Sequence, residues 1–93
     1  MPAYIVANYT VTNPEGLESY GPHATASIEK HGGEILASDF ETEAVEGEPG
    51  HATVVIQFQD KESAKAWYRS QEYQAVVDRR QDNSFGMMML VSG

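Results

Sequence analysis

The feature that most constrains this chain is a hydrophobic rhythm that switches four times between period two and a helical period. Ala3 to Thr12 alternates residue by residue and is rich in β-branched and aromatic side chains, which marks a half-buried strand. Ile5, Ala7, Tyr9 and Val11 point one way; Tyr4, Val6, Asn8, Thr10 and Thr12 point the other. Asn13 then offers an N-cap, Pro14 suits the first helical position, and Glu15 complements the positive helix end. The helix is predicted to run to Lys30 or His31 and to stop at Gly32-Gly33, where a left-handed backbone meets no Cβ penalty. Gly21-Pro22 falls inside it. A proline there removes one backbone hydrogen bond, so a kink or a split into two short helices is expected.

Glu34 to Glu46 alternates again, with Ile35, Ala37, Asp39, Glu41 and Glu43 on one face and Leu36, Ser38, Phe40 and Thr42 on the other. Gly47-Glu48-Pro49-Gly50 is a turn cluster, and Ala52 to Gln59 resumes as a strand, so the pair reads as a hairpin. Asp60 caps a second helical region whose apolar stripe is Ala64, Trp67 and Tyr68. Ser70 with Glu72 looks like a fresh N-cap, for a helix carrying Tyr73, Val76 and Val77. Phe85 to Val91 is the last strand. Strand, helix, strand, strand, helix, strand is the ferredoxin-like βαββαβ order, an α+β fold with helices on one face of a four-stranded antiparallel sheet.

At 93 residues the chain makes one domain, residues 1–93. A chain this short buries only about 60–65% of its unfolded surface, so self-association is a natural way to gain more. With no cysteine, disulfides, thiolate zinc sites and cysteine nucleophiles are excluded. Fourteen carboxylates against six Lys and Arg give a net charge of −8, which argues against nucleic-acid binding. Met1-Pro2-Ala3-Tyr4 leads straight into a strand-like segment, with no basic n-region or long apolar run, so neither a signal peptide nor a membrane span is expected and the cytoplasm is the default location.

The sheet face turned away from the helices is informative. With Ile5, Val54, Ile56 and Phe58 against the helices, the far face carries Tyr4, Val6, Asn8, Thr10, Thr53, Val55 and Gln57. A wet face ordinarily carries Lys and Glu, and here the first and third strands have none. Burial against a second sheet, in a homodimer, is the expectation.

Pro2-Ala3-Tyr4-Ile5-Val6, Ile28-Glu29-Lys30-His31-Gly32-Gly33, Glu46-Gly47, Ala64-Lys65-Ala66-Trp67-Tyr68 and Ser70-Gln71-Glu72-Tyr73-Gln74, followed by Arg79-Arg80, together resemble domain-of-unknown-function family 1330 over essentially the whole chain. The resemblance implies a dimeric α+β barrel, in which two sheets close face to face. That superfamily also contains small monooxygenases, dehalogenating or decarboxylating enzymes, and stress-associated proteins without established activity, so it carries no catalytic role to any residue. Gln71 stands where a proline is common in the family. Ser38-Asp39-Phe40 stands where Arg-Gly-Gly is frequent, which removes one anion-binding cation.

Candidate chemistry is sparse. No histidine stands in a His-x-x-x-His or Glu-x-x-His pairing, and His31 before Gly32-Gly33 suits a helix C-terminus. His23, just after Pro22, is the candidate general base in a cleft between helix and sheet, and Tyr20 the candidate phenol donor beside it. Asn8, Tyr68 and Arg80 are the expected substrate contacts. Arg79-Arg80 also suits a helix end whatever the function. The acidic run Asp39, Glu41, Glu43, Glu46, Glu48 reads as the solubilising edge of a strand rather than a metal site. Trp67 and Tyr73 read as core, and Met87-Met88-Met89 as strand residues split between two faces. No Gly-x-Ser-x-Gly, phosphate loop or dinucleotide fingerprint is present. Two functions follow as expectations. One is a homodimer that binds or converts a small, largely apolar organic molecule without cofactor or metal. The other is a non-catalytic binding or assembly protein whose cleft Trp67 and Tyr73 simply fill.

Overall fold

A computed structural model describes residues 1–93. The elements in chain order are β1 (Ala3–Val11), α1 (Pro14–Leu17), α2 (Tyr20–Lys30), β2 (Glu34–Asp39), β3 (Ala52–Phe58), α3 (Lys61–Arg69), α4 (Gln71–Gln74), α5 (Val77–Gln81) and β4 (Ser84–Ser92). The sheet is four-stranded and antiparallel in the order β2-β3-β1-β4. This is the ferredoxin-like arrangement, with the first and third strands in the middle and all helices on one side.

Local chemistry explains where most elements begin and end. The Asp60 carboxylate accepts a hydrogen bond from Ser63 N–H at 2.8 Å, and the Ser70 hydroxyl accepts one from Tyr73 N–H at 3.2 Å. Each hydroxyl or carboxylate satisfies a donor that the helix itself leaves unpaired. The predicted break in the first helix occurs at Glu18-Ser19, just before the proline rather than at it. Pro22 then lies in the first turn of α2, where its missing N–H has no intrahelical partner to lose. That helix ends at His31, and Gly32 takes a φ of +77°. At Gly33 a Cβ would sit 2.6 Å from Ile28 and 2.7 Å from the Phe58 ring, so the chain passes between α2 and β3 only because no side chain is there.

The connection after β2 departs from the predicted alternation in two ways. The strand stops at Asp39, whose carboxylate accepts a hydrogen bond from Glu41 N–H at 2.7 Å and turns the chain out of the ladder. Glu41, Glu43, Glu46 and Glu48 therefore lie in the irregular segment 40–51, and only Asp39 of the acidic run belongs to a strand. In addition, a bulge falls between Ile35 and Ala37. Ile35 pairs with Ile56 on the helix side, whereas Ala37 and Asp39 pair with Val55 and Thr53 on the far side. Simple alternation placed all three on one face; the extra residue separates them.

Only 16 of the 93 residues are buried, and most belong to one core between sheet and helices. Ile5, Ile56 and Phe58 form its floor, and Ala24, Ile28, Ala64, Trp67, Tyr73, Val76 and Val77 its roof. Trp67 is the centrepiece, with its ring centroid 4.2 Å from that of Tyr73 and 5.6 Å from that of Phe58. Its indole N–H donates to the Ser27 hydroxyl at 3.0 Å, which in turn donates to the Ala24 carbonyl at 2.7 Å. The one polar atom of a large apolar ring is thus satisfied inside the core.

The far face is as the alternation requires, and β4 extends it. The ladders align Val55, Val6 and Met89 in one row, Gln57, Tyr4 and Val91 in the next, and Thr53, Asn8 and Met87 on the other side. Phe85, Met87, Met89 and Val91 remain 64%, 62%, 42% and 41% exposed. The charges on this face, Glu34 and Asp39, lie on the edge strand β2.

Candidate functional site

Between α2 and the β2–β3–β1 part of the sheet lies a cavity of about 180 Å³. Its floor is Ala7, Tyr9, Val54, Ile56 and Met88, from three adjacent strands. α1 and α2 contribute Leu17, Tyr20, Ala24, Thr25 and Ile28, and Trp67 closes the inner end. Ile35, Ser38 and Phe40 form the outer wall, placed there by the β2 bulge. An engineered dry cavity of about 150 Å³ is enough to take benzene, so this volume suits a body about one ring in size.

The polar end of the cavity is Arg80. α5 carries it inward, and it is only 9% exposed. Its Nε has no hydrogen-bond partner, and neither ion pair of the molecule, Lys30–Glu72 and Lys65–Glu62, involves it. The groups that feel its charge are the phenols of Tyr9, Tyr20 and Tyr73. Tyr20 and Tyr73 are hydrogen-bonded to each other, oxygen to oxygen, at 2.8 Å, and their rings meet edge to face. Burial, and for Tyr20 the neighbouring Tyr73, pushes the Tyr9 and Tyr20 phenols above the ordinary tyrosine range. Burial opposes the Arg80 charge, but the Tyr73 and Tyr20 oxygens outweigh it and hold the guanidinium above its usual value. The cluster is therefore one cation among phenols, with ionisation of Tyr9 and Tyr20 disfavoured by burial.

The structure brings together two of the five residues singled out from the sequence, Tyr20 and Arg80. His23 is exposed on the outer side of α2, its Nδ1–H donating to the Ser19 carbonyl one turn back at 2.9 Å, and it does not line the cavity. Asn8 lies on the opposite sheet face and holds the start of β3. Its amide nitrogen donates to the carbonyls of Gly50 and Ala52 and to the Thr53 hydroxyl, and its oxygen accepts from Gly50 N–H at 2.8 Å. Tyr68 packs on Trp67 and Tyr73 and lines a separate depression of about 230 Å³ between α3 and β4.

Tyr73 is the participant the sequence reading placed only in the core. Its ring is there, fully buried, and its hydroxyl is bonded to that of Tyr20, which does line the cavity. The available signal was the seven-residue spacing of Tyr73 and Arg80, two helical turns, although a break at Ala75-Val76 separates their helices. No group of three or more His, Asp or Glu side chains is placed to hold a metal ion, and no helix is long and apolar enough to cross a membrane.

Residues 2–93 match the family DUF1330, a domain of unknown function. No curated protein matches the sequence significantly. Among solved structures, the protein of unknown function RPA0582 from Rhodopseudomonas palustris superposes with a TM-score of 0.73 at 16% identity, over 97% of this chain and 78% of that one. SnoaB, a cofactor-independent oxygenase from Streptomyces nogalater, does so with a TM-score of 0.73 at 13% identity, over 99% and 92% of the two chains. An antibiotic biosynthesis monooxygenase gives a TM-score of 0.54 at 15% identity, over 100% and 98%. At these identities the likeness is one of fold.

Proposed function

The chain belongs to the DUF1330 family of domains of unknown function, and from that premise we propose that it works as a homodimer joined through the charge-poor sheet face, each subunit binding a small, largely apolar organic molecule in the cavity under α2. The observation that carries this reading is the cavity itself, mostly apolar apart from Thr25 and Ser38, with Arg80 and Tyr20 at its polar end and Tyr73 bonded behind Tyr20. A few convergent polar groups in an otherwise apolar concavity are the usual make-up of a small-molecule site. SnoaB shares the fold and is a cofactor-independent oxygenase, which agrees with a site that supplies only hydrogen bonds and charge. No His, Asp or Glu lines the cavity, and Tyr20 stays protonated. Its polar groups thus donate hydrogen bonds and stabilise negative charge, and general-base chemistry is not among them. Asn8, His23 and Tyr68 take no part in this reading.

Thermal unfolding with a panel of single-ring compounds tests it. A ligand at ten times its dissociation constant contributes about 1.4 kcal/mol, which raises Tm by roughly 5–10 °C for a domain of this size. Ser38→Phe, at the outer wall, should abolish the shift without disturbing the core. A panel in which no compound moves Tm would refute the binding site. It would favour the second reading, a non-catalytic assembly protein, whose support is the complete burial of Trp67 and Tyr73 in the inner half of the cleft.

A further inference from the structure

The cavity pairs two properties that sit badly together in an empty, purely structural space. It is lined almost wholly by hydrocarbon, and it contains a guanidinium with no carboxylate near it. A buried arginine is ordinarily matched by an acid or by several well-aligned acceptors. Here its close partners are phenol oxygens, those of Tyr73 and Tyr20, and Nε has no acceptor at all. Methionine or leucine would fill the same volume without the desolvation penalty. A cation kept in such a place is matched by a charge that arrives from outside.

We propose that the cavity is a site for a small organic carboxylate, roughly one ring in size, whose charge is held by Arg80 with Tyr20 and Tyr73 beside it. The proposal rests on the binding-site reading above and names the ligand class. The guanidinium fork suits a carboxylate because two parallel N–H···O bonds can form at once. The apolar walls from Ala7, Ile35 and Val54 suit the hydrocarbon body. The net charge of −8 repels anions at long range, so the recognition is local and comes from the direct contact. The absence of any acid or histidine on the walls has the same sense: a ligand needs no proton removed by the site if it enters already ionised.

Benzoate and its neutral isostere benzamide separate the alternatives, measured side by side at neutral pH by thermal shift and calorimetry. On the unaltered protein, benzoate should bind at least tenfold more tightly than benzamide. Arg80→Met should remove that preference while leaving benzamide binding in place, and Arg80→Lys should weaken benzoate about tenfold by replacing the fork with a point charge. The hydrophobic substitution is expected to fold, since methionine fills a similar volume and no ion pair is lost, and the lysine variant gives an independent reading. Equal binding of benzoate and benzamide overturns the carboxylate proposal but leaves the cavity as a ligand site. Benzoate preference that survives Arg80→Met also overturns it. Failure of both probes, together with every neutral compound of the panel, overturns the binding site and the carboxylate proposal together.

Discussion

Replacing Met89 by lysine probes the sheet-to-sheet pairing where the register places its middle. Met89 lies beside Val6, and Val6 beside Val55, in one row across three strands of the far face. In the single chain the side chain is 42% exposed, so association has that fraction left to cover. Full burial of a methionine contributes about 1.5–3 kcal/mol, so the remaining share is worth about 1 kcal/mol per copy. A twofold interface contains the residue twice, giving about 2 kcal/mol per dimer. Desolvating two ammonium groups adds to the loss and brings it to about 2–4 kcal/mol, a rise of roughly 30- to 700-fold in the dimer dissociation constant. Sedimentation equilibrium across a micromolar concentration series measures it. Ala26→Lys, on the exposed side of α2, adds the same charge and should leave association unchanged. Circular dichroism should show both variants folded, because neither residue belongs to the core. An unaltered protein that stays monomeric and folded at micromolar concentration refutes the pairing, and so does a Met89→Lys protein that associates as before.

Stability should decline above about pH 10, the ordinary tyrosine pKa, because the folded chain holds the Tyr9 and Tyr20 protons that the unfolded chain releases. The contribution is complete below the unfolded value and is lost as pH rises through the folded one; Tyr20→Phe should flatten this alkaline limb in denaturant titrations, and an unchanged slope would contradict the assignment. Ser70→Ala removes the acceptor for Tyr73 N–H and should lower stability by about 1 kcal/mol in chemical denaturation. Gly33→Ala brings a methyl group within 2.6–2.8 Å of Ile28 and Phe58, and should lower stability by about 1–3 kcal/mol. A Gly33→Ala protein as stable as the parent would mean that α2 and β3 separate more readily than their packing implies.

Much of the fold was legible because period-two patterns survive translation into a sheet without further information. The division of β1 and β3 into a helix side and a far side follows from Ile5, Ile56 and Phe58 alone. Helix starts at Asp60 and Ser70 were legible for a similar reason, since a capping side chain acts on a backbone group three residues away. The β2 bulge was not, because an extra residue changes which side chains face inward without changing composition. The site was legible only in part. Arg80 and Tyr20 are sixty residues apart in the sequence, and no local rule joins them; α5 and α2 meet through tertiary packing. His23 sits on an exposed part of α2 and outside the cavity lining, a placement that sequence pattern alone does not decide. Asn8 shows that a polar residue amid apolar neighbours can be consumed by structure, here three hydrogen bonds to backbone and one to the Thr53 hydroxyl at the entrance to β3.

The irregularity in β2 has an electrostatic consequence. Were Glu34–Asp39 to run as an unbroken ladder from Ile35, Ala37 and Asp39 would turn toward the helices, and Ser38 and Phe40 away from them. An aspartate would then face the helix side of the sheet, from the strand that walls the chamber. Which side chains of this edge strand face the chamber thus depends on the parity of residue count along it, and insertion or deletion of a single amino acid there exchanges the whole set at once.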